Sequence, residues 1–154
     1  MYPQEYIDYL VHFHGDRDYF ECHEVLEEYW KKVDSRNKES ILVGFILFAV
    51  SNYHHRRSNF QGAKRTLKKA LSIFMNKADE LPSYGLNSTE FINFIKQRLS
   101  SVNEHKEYKS INLPIADSSL IKICEQVCRR KGLIWCNPSD LMNEELIHKH
   151  VKRD

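Results

Sequence analysis

The longest apolar run in the sequence is the stretch ILVGFILFAV, residues 41–50. Its ten residues are about half of what a bilayer-spanning helix needs, and helix-forming residues dominate the chain around it. A helix that is apolar on nearly all sides usually lies at the centre of a helical core. We therefore predict a central helix from about Glu39 to Arg57 and an all-α fold.

Capping residues divide the rest of the chain into further helices. Asp18, Asn59 and Asn87 each precede an amphipathic segment, as N-capping residues do. The helix that begins after Asn59 follows the central helix after only a residue or two, so the two should pack as an antiparallel hairpin.

The C-terminal part of the sequence predicts two more helices. Ser118 begins one of them, and a terminal helix should start at residues 137–139 and bury four apolar side chains: Leu141, Met142, Leu146 and Val151. We predict a compact helical bundle over residues 1–105 and a small helical extension over residues 106–154 that packs on the same domain.

Composition excludes several classes of protein. A chain of 154 residues fits one domain. Its net charge of +2, with Lys and Arg scattered along it, gives no reason to expect nucleic-acid binding. The N-terminus lacks the pattern of a signal peptide, and no segment is long enough to span a membrane. We therefore expect a cytoplasmic protein whose four cysteines are reduced thiols.

The second predicted helix carries a polar pair on an apolar face. At about 100° per residue, His23 and Glu27 point along the same face as four large side chains, Tyr19, Phe20, Leu26 and Trp30. Glu24 lies at the margin of that face. Charged groups rarely occupy such a face unless they are paired or bind a ligand. We therefore predict that His23 and Glu27 lie close together and are mostly buried.

Two interpretations of this pair remain open. His23 and Glu27 either bond to each other and stabilise the helix packing, or they face a small pocket roofed by Trp30 as ligands or as an acid–base pair. The motif His-Glu-x-x-Glu is one residue type short of the zinc-protease motif. A zinc site needs three or four converging ligands, which one helix does not supply, so we expect no metal cofactor.

Other polar residues give weaker signals. His54 and Arg57 lie at the end of the central helix, where cationic side chains are ordinary; alternatively, they hold an anion or a carboxylate partner against the second helix. We expect His12 and His14 to be exposed. The cysteines at 124, 128 and 136, with His148 and His150, lack the usual spacing of zinc ligands.

Two sequence blocks resemble a known family. They are Phe20-Glu21-Cys22-His23-Glu24-x-x-Glu27-x-x-Trp30 and Ala49-x-x-x-Tyr53-His54-x-x-Arg57-Ser58-Asn59-x-x-Gly62-Ala63. Together they resemble the domain-of-unknown-function 309 (DUF309) family of bacteria and archaea, over roughly residues 5–80. In that family the second block usually has Gly where this chain has Ser58, and the helix before it often has Gln where this chain has Val43 and Leu47.

The resemblance implies an all-α bundle and no established activity. It also implies that the polar and aromatic positions of the two blocks form one site: His23, Glu24, Glu27, Trp30, His54, Arg57 and Asn59. We therefore expect a binding module that takes a protein or a small anionic ligand between the second and third helices. The alternative is a metal-dependent hydrolase that uses His23, Glu24 and Glu27. The sequence does not indicate the oligomeric state.

Overall fold

In the computed structural model, which describes residues 1–149, the chain forms seven α-helices and one 3-10 helix. These are α1 (Gln4–His14), α2 (Tyr19–Val33), α3 (Ile41–Arg56), α4 (Phe60–Asn76), the 3-10 helix (Ala78–Tyr84), α5 (Ser88–Asn103), α6 (Ser118–Arg130) and α7 (Glu144–Ile147). Within the described residues there is no strand, and a single isolated bridge pairs Leu86 with Ile115. The prediction of an all-α bundle is confirmed.

The capping residues begin helices where the sequence predicted them. The side chains of Asp18, Asn59 and Asn87 each accept a hydrogen bond from the backbone N–H three residues later, at 3.1, 3.0 and 2.9 Å. Each bond pairs one of the N–H groups that a helix N-terminus leaves without an intrahelical partner. These local bonds determine where α2, α4 and α5 start.

Helix α3 lies at the centre of the bundle. The ring centroid of Phe45 is 5.4 Å from that of Tyr6 in α1, 5.0 Å from that of Phe74 in α4 and 6.0 Å from that of Phe91 in α5. Helices α3 and α4 approach closely at Gly44, where an added Cβ would lie 2.9 Å from Phe74 Cε1. The predicted α3–α4 hairpin therefore forms the middle layer of the core.

The C-terminal segment shares this core. Leu113, Leu120 and Cys124 belong to the same cluster of buried side chains as the residues of α1 and α3. The hydroxyl of Tyr2 donates a hydrogen bond of 2.6 Å to Asp117, at the start of α6. Helix α6 packs against α1. Burial of this segment therefore depends on the N-terminal helix.

The prediction of a terminal helix that buries Leu141 and Met142 is wrong. Their side chains are 60% and 89% exposed, and α7 starts only after them, capped by Asn143. A short helix in water is stable only where it packs an apolar face against the rest of the protein. Leu141 and Met142 have no such surface to cover, so the backbone before Asn143 does not become helical. Val151 lies outside the described residues.

None of the described helices is long and apolar enough to cross a membrane.

Candidate functional site

Helices α2 and α3 form a groove on the surface of the bundle. Its walls are four side chains of α2 at helical spacing, Phe20, His23, Glu27 and Trp30, and four of α3, Val43, Leu47, Val50 and His54. Residues at such spacing share one face of a helix. All eight side chains are partly exposed. We call this surface the α2–α3 groove.

The groove contains two small clefts. One, of about 190 Å³, is lined by Tyr19, Phe20, His23, Val50, Tyr53 and His54. The other, of about 220 Å³, is lined by Glu27, Trp30, Lys38, Val43, Ile46 and Leu47. His23 lines the first cleft and Glu27 lines the second, so the bonded pair of side chains lies at the boundary between the two clefts.

His23 and Glu27 form a direct pair. Nε2 of His23 lies 2.5 Å from Oε2 of Glu27, and the other carboxylate oxygen lies 3.0 Å from Nζ of Lys31. Partial burial acts to raise the pKa of Glu27, but the bonds from Lys31 and His23 outweigh it, so the pKa of Glu27 is lowered. The carboxylate is therefore ionised near neutral pH and accepts hydrogen bonds from both partners.

The prediction that His23 and Glu27 lie close together is confirmed, and both side chains are partly buried. The side chains are 27% and 33% exposed for His23 and Glu27. The buried stripe of α2 is made of Tyr19, Cys22 and Leu26, which places the pair on the edge of that stripe. Cys22 is the signal that the sequence argument missed, because cysteine is among the most buried residue types.

This exposure sets the expected effect of removing the carboxylate. We expect Glu27→Gln to lower the free energy of unfolding by about 1 kcal/mol or less, as for exposed ion pairs. A lowered pKa contributes stability that is lost on protonation, so the difference from wild type should shrink as the pH falls below 4.5, the ordinary value. Urea unfolding at several pH values from about 3.5 to about 7 measures both effects, because this range extends from below to well above the ordinary pKa of a glutamate.

The control is Glu28→Gln, which removes a carboxylate from an exposed position of the same helix. A loss of about 3 kcal/mol or more for Glu27→Gln would show that the pair behaves as a buried one.

Trp30 contributes to the loop after α2 as well as to the groove. Its Nε1 donates a hydrogen bond of 3.0 Å to the backbone oxygen of Asn37. Its ring lines the same cleft as Glu27, so it does not cover the cleft that contains His23. Glu24 is not among the residues that line either cleft.

The end of α3 brings three candidate residues near the first cleft. His54 lines that cleft together with His23. Asn59, which caps α4, lies with its Nδ2 3.3 Å from Nδ1 of His54. The guanidinium of Arg57 lies 5.4 Å from the ring centroid of Tyr53, which also lines the cleft. The cap of α4 therefore also positions the imidazole of His54.

The described residues offer no metal site. No three or more of their His, Cys, Asp and Glu side chains come together in a way that could hold a metal ion. His150, one of the ligands considered from the sequence, lies outside the described residues. The lining of the groove combines the hydrogen-bonding groups of His23 and Glu27 with apolar surface.

A buried cation, Arg17, was not found from the sequence. It is 1% exposed and has a left-handed backbone, with φ of 57°. Its Nε donates to the backbone oxygen of Asn137 at 2.7 Å, Nη2 donates to Asn112 Oδ1 at 2.8 Å, and Nη1 donates to the backbone oxygen of Ile111. Arg17 thus holds the C-terminal segment against the turn between α1 and α2.

Two more buried polar side chains act at the same junction. Nη1 of Arg56 donates to the backbone oxygen of Arg17 at 2.7 Å, and its guanidinium lies 4.6 Å from the ring centroid of Tyr19. His14, expected to be exposed, is fully buried, and its Nε2 accepts the backbone N–H of Leu113 at 3.0 Å. The acceptors of Arg17 and the Leu113 N–H that His14 accepts are distant in sequence, so the neighbouring residues in the chain do not indicate these bonds.

Comparison with known proteins gives the chain a family. The profile of a domain of unknown function, DUF309, matches residues 6–66. The uncharacterized protein YpuF of Bacillus subtilis (strain 168) is 44% identical over 154 residues, which is 100% of this chain and 88% of that relative. The chain belongs to the DUF309 family. No solved structure matches it.

The DUF309 match includes both walls of the groove. Residues 6–66 contain all of α2 and α3 and the turn between α3 and α4, and therefore all seven candidate residues. Ser58 has a left-handed φ of 62°, a conformation that favours glycine. Val43 and Leu47 make this part of the groove apolar.

Proposed function

We propose that this DUF309 protein is a non-enzymatic, cytoplasmic binding module whose α2–α3 groove receives an amphipathic helix of a partner protein. The observation that carries the proposal is the partly exposed apolar stripe of Val43, Leu47 and Val50 on the central helix. Contiguous apolar surface on a protein is typical of interaction sites. Phe20 and Trp30 extend this stripe across the groove onto α2.

The shape of the groove supports a helical occupant. From Phe20 to Trp30 its wall rises by about 15 Å, or nearly three helical turns. Helix-in-groove recognition uses apolar side chains at i, i+3, i+4 and i+7, and the groove walls carry apolar side chains at matching intervals. The His23–Glu27 pair between the clefts offers polar groups to a partner side chain.

No specific observation favours the alternative, a metal-dependent hydrolase. Such an enzyme needs three ligands that converge on one ion. His23 and Glu27 are the two metal-ligating residues of α2 that the structure brings together in the groove, and Glu24 lines neither cleft. A binding function accounts for the partly exposed apolar side chains of the groove, whereas a hydrolase site at His23 and Glu27 would give them no role.

A peptide display selection tests the proposal. The library consists of helical peptides of about 16 residues, roughly 24 Å long, with leucine fixed at i, i+3, i+4 and i+7 and both charge signs allowed elsewhere. Selected peptides should bind the wild-type protein at least about tenfold more tightly than they bind the Leu47→Gln variant. This difference corresponds to about 1.4 kcal/mol of binding free energy. Glutamine keeps the size and helix propensity of the side chain but removes its apolar end.

The matched control is Met75→Gln. Met75 is 51% exposed on α4 and lines neither cleft of the groove, so this change should leave peptide binding unaltered. Circular dichroism verifies that both variants are folded. If no peptide is enriched, or if both variants weaken binding equally, the groove is not a helix-binding site.

A further inference from the structure

The α3–α4 hairpin has an uneven distribution of charge. Residues 40–78 contain no Asp or Glu but seven Lys and Arg: Arg56, Arg57, Lys64, Arg65, Lys68, Lys69 and Lys77. The net charge of the whole chain is only +2, so the acidic residues lie in other segments. The hairpin that contributes one wall of the groove is therefore strongly basic.

Most of these cations lie on the outer face of α4. Lys64, Arg65, Lys68 and Lys69 are all exposed. Within the part of the chain that the structure describes, no carboxylate lies within ion-pair distance of any of the four. Their charges are therefore available to a partner molecule.

Two cations lie beside the apolar stripe of α3. Lys69 and Lys38 line a third cleft, of about 430 Å³, together with Glu39, Val43, Leu47, Ser72 and Ile73. Lys38, Val43 and Leu47 also line the second cleft of the α2–α3 groove. The apolar stripe is thus a ridge between two clefts. Lys38 lies at one end of this ridge and Lys69 along its α4 side.

Arg65 extends this charged border along α4. It lies one helical turn before Lys69, on the same side of the helix. Lys64 and Lys68 each lie one residue earlier, which rotates them by about 100° around the helix axis, and neither lines the third cleft. Four cations of one helix therefore fall into two pairs, one along the ridge and one away from it.

From this arrangement we infer that the partner helix is acidic: its apolar face covers Val43, Leu47 and Val50, and its carboxylates face Lys38, Arg65 and Lys69. This inference rests on the proposed function and names the chemistry of the partner. Complementary charge around an apolar contact sets the orientation and specificity of association. Glu39 is the one carboxylate that lines the third cleft, beside two cations.

An acidic helix fits this surface better than a nucleic acid or an anionic membrane does. Nucleic-acid affinity comes mainly from cations on phosphates and gains nothing from an apolar ridge between them. A peripheral membrane helix inserts its own large apolar face into the lipid, whereas Val43 and Leu47 are only partly exposed and form a narrow ridge between two clefts. The ridge and its charged border match an amphipathic helix with one acidic flank.

The selected peptides described above provide the test. Peptides that bind the groove should contain more Asp and Glu than the unselected library. Arg65→Glu/Lys69→Glu should weaken their binding at least about tenfold, and Lys64→Glu/Lys68→Glu by less than about threefold. Both double variants change the net charge equally, so long-range attraction alone would affect them equally. When the Arg65→Glu/Lys69→Glu variant is used as the target of the selection, the enriched peptides should instead contain more Lys and Arg than the unselected library.

Other results would overturn the inference alone or the inference together with the proposed function. Groove-dependent peptides without an acidic excess, or equal weakening by the two double variants, would overturn the inference and leave the proposed function standing. Absence of groove-dependent peptides would overturn both. A single-stranded DNA of about 20 nucleotides, or vesicles with anionic lipid, that displaced the acidic peptides and bound the two double variants equally would also overturn the inference.

Discussion

Arg17→Met should lower the free energy of unfolding by about 5 kcal/mol or more. Hydrogen bonds from a charged donor are worth roughly 1.5–3 kcal/mol each, and a buried acceptor left without its donor adds a further penalty. Arg17 donates three such bonds, to the backbone oxygens of Ile111 and Asn137 and to Asn112 Oδ1. Methionine fills part of the volume but satisfies none of these acceptors.

Urea unfolding at pH 7 measures this loss. The control is Arg36→Met, which makes the same chemical change at an exposed position and should shift stability by less than about 0.5 kcal/mol. Hydrogen exchange should accelerate first at residues 111–113 and 137–139, because Arg17 holds these segments. A loss below about 1 kcal/mol would show that the buried guanidinium contributes no more than a surface side chain.

The second large effect is the pH dependence that His14 imposes. Nδ1 of His14 donates to the backbone oxygen of Leu10 at 2.8 Å, and Nε2 accepts the backbone N–H of Leu113 at 3.0 Å. Only the neutral imidazole can do both. Burial lowers the pKa of His14 to about 3 from its ordinary value of 6.5. The folded protein therefore excludes a proton that the unfolded chain binds.

The sign and the size of the effect follow from this shift. The contribution of His14 is fully present above pH 6.5 and is lost as the pH falls toward 3, at about 1.4 kcal/mol per pH unit. Between pH 7 and pH 4 His14 alone should therefore cost about 3 kcal/mol of stability. Urea unfolding across that range measures the slope.

His14→Gln should flatten this slope by nearly one proton, although it also destabilises the protein at pH 7. His12 is the matched control on the same helix. Burial acts to lower the pKa of His12, but its bond to Asp16 outweighs burial and raises it. The stability that His12 contributes is present below its unfolded pKa and is lost as the pH rises through the folded pKa. His12→Gln should therefore leave the slope below about pH 6 unchanged and change it in the opposite direction only above pH 6.5. Equal slopes for wild type and His14→Gln between about pH 4 and pH 6 would contradict the role of His14.

Much of the fold could be predicted from the sequence because its signals are local. Asp18, Asn59 and Asn87 bond to backbone groups three residues away, and such bonds form wherever the helix forms. The central position of α3 could be predicted from its apolar run, because a helix that is apolar on nearly all sides must be covered by other helices on nearly all sides. The terminal helix failed because Leu141 and Met142 needed a surface that only distant parts of the chain could supply.

The candidate site was only partly predictable. The bond between His23 and Glu27 joins positions i and i+4 of one helix, so its existence depends on local geometry. The exposure of the pair depends on which face of α2 the other helices cover. They cover the face of Tyr19, Cys22 and Leu26, so His23 and Glu27 stay partly exposed. The pairing of His23 with His54 in one cleft depends in turn on how α2 crosses α3.

The sequence is sufficient to place the starts of α2, α4 and α5, the central hairpin and the acid-free stretch from residue 40 to residue 78, because each depends on residues close together along the chain. The tertiary structure alone decided that Arg17 and His14 are buried. The acceptors of Arg17 and the Leu113 N–H that His14 accepts lie 94 to 120 residues away, and a buried cation or imidazole is tolerated only where its polar atoms find partners in the folded chain.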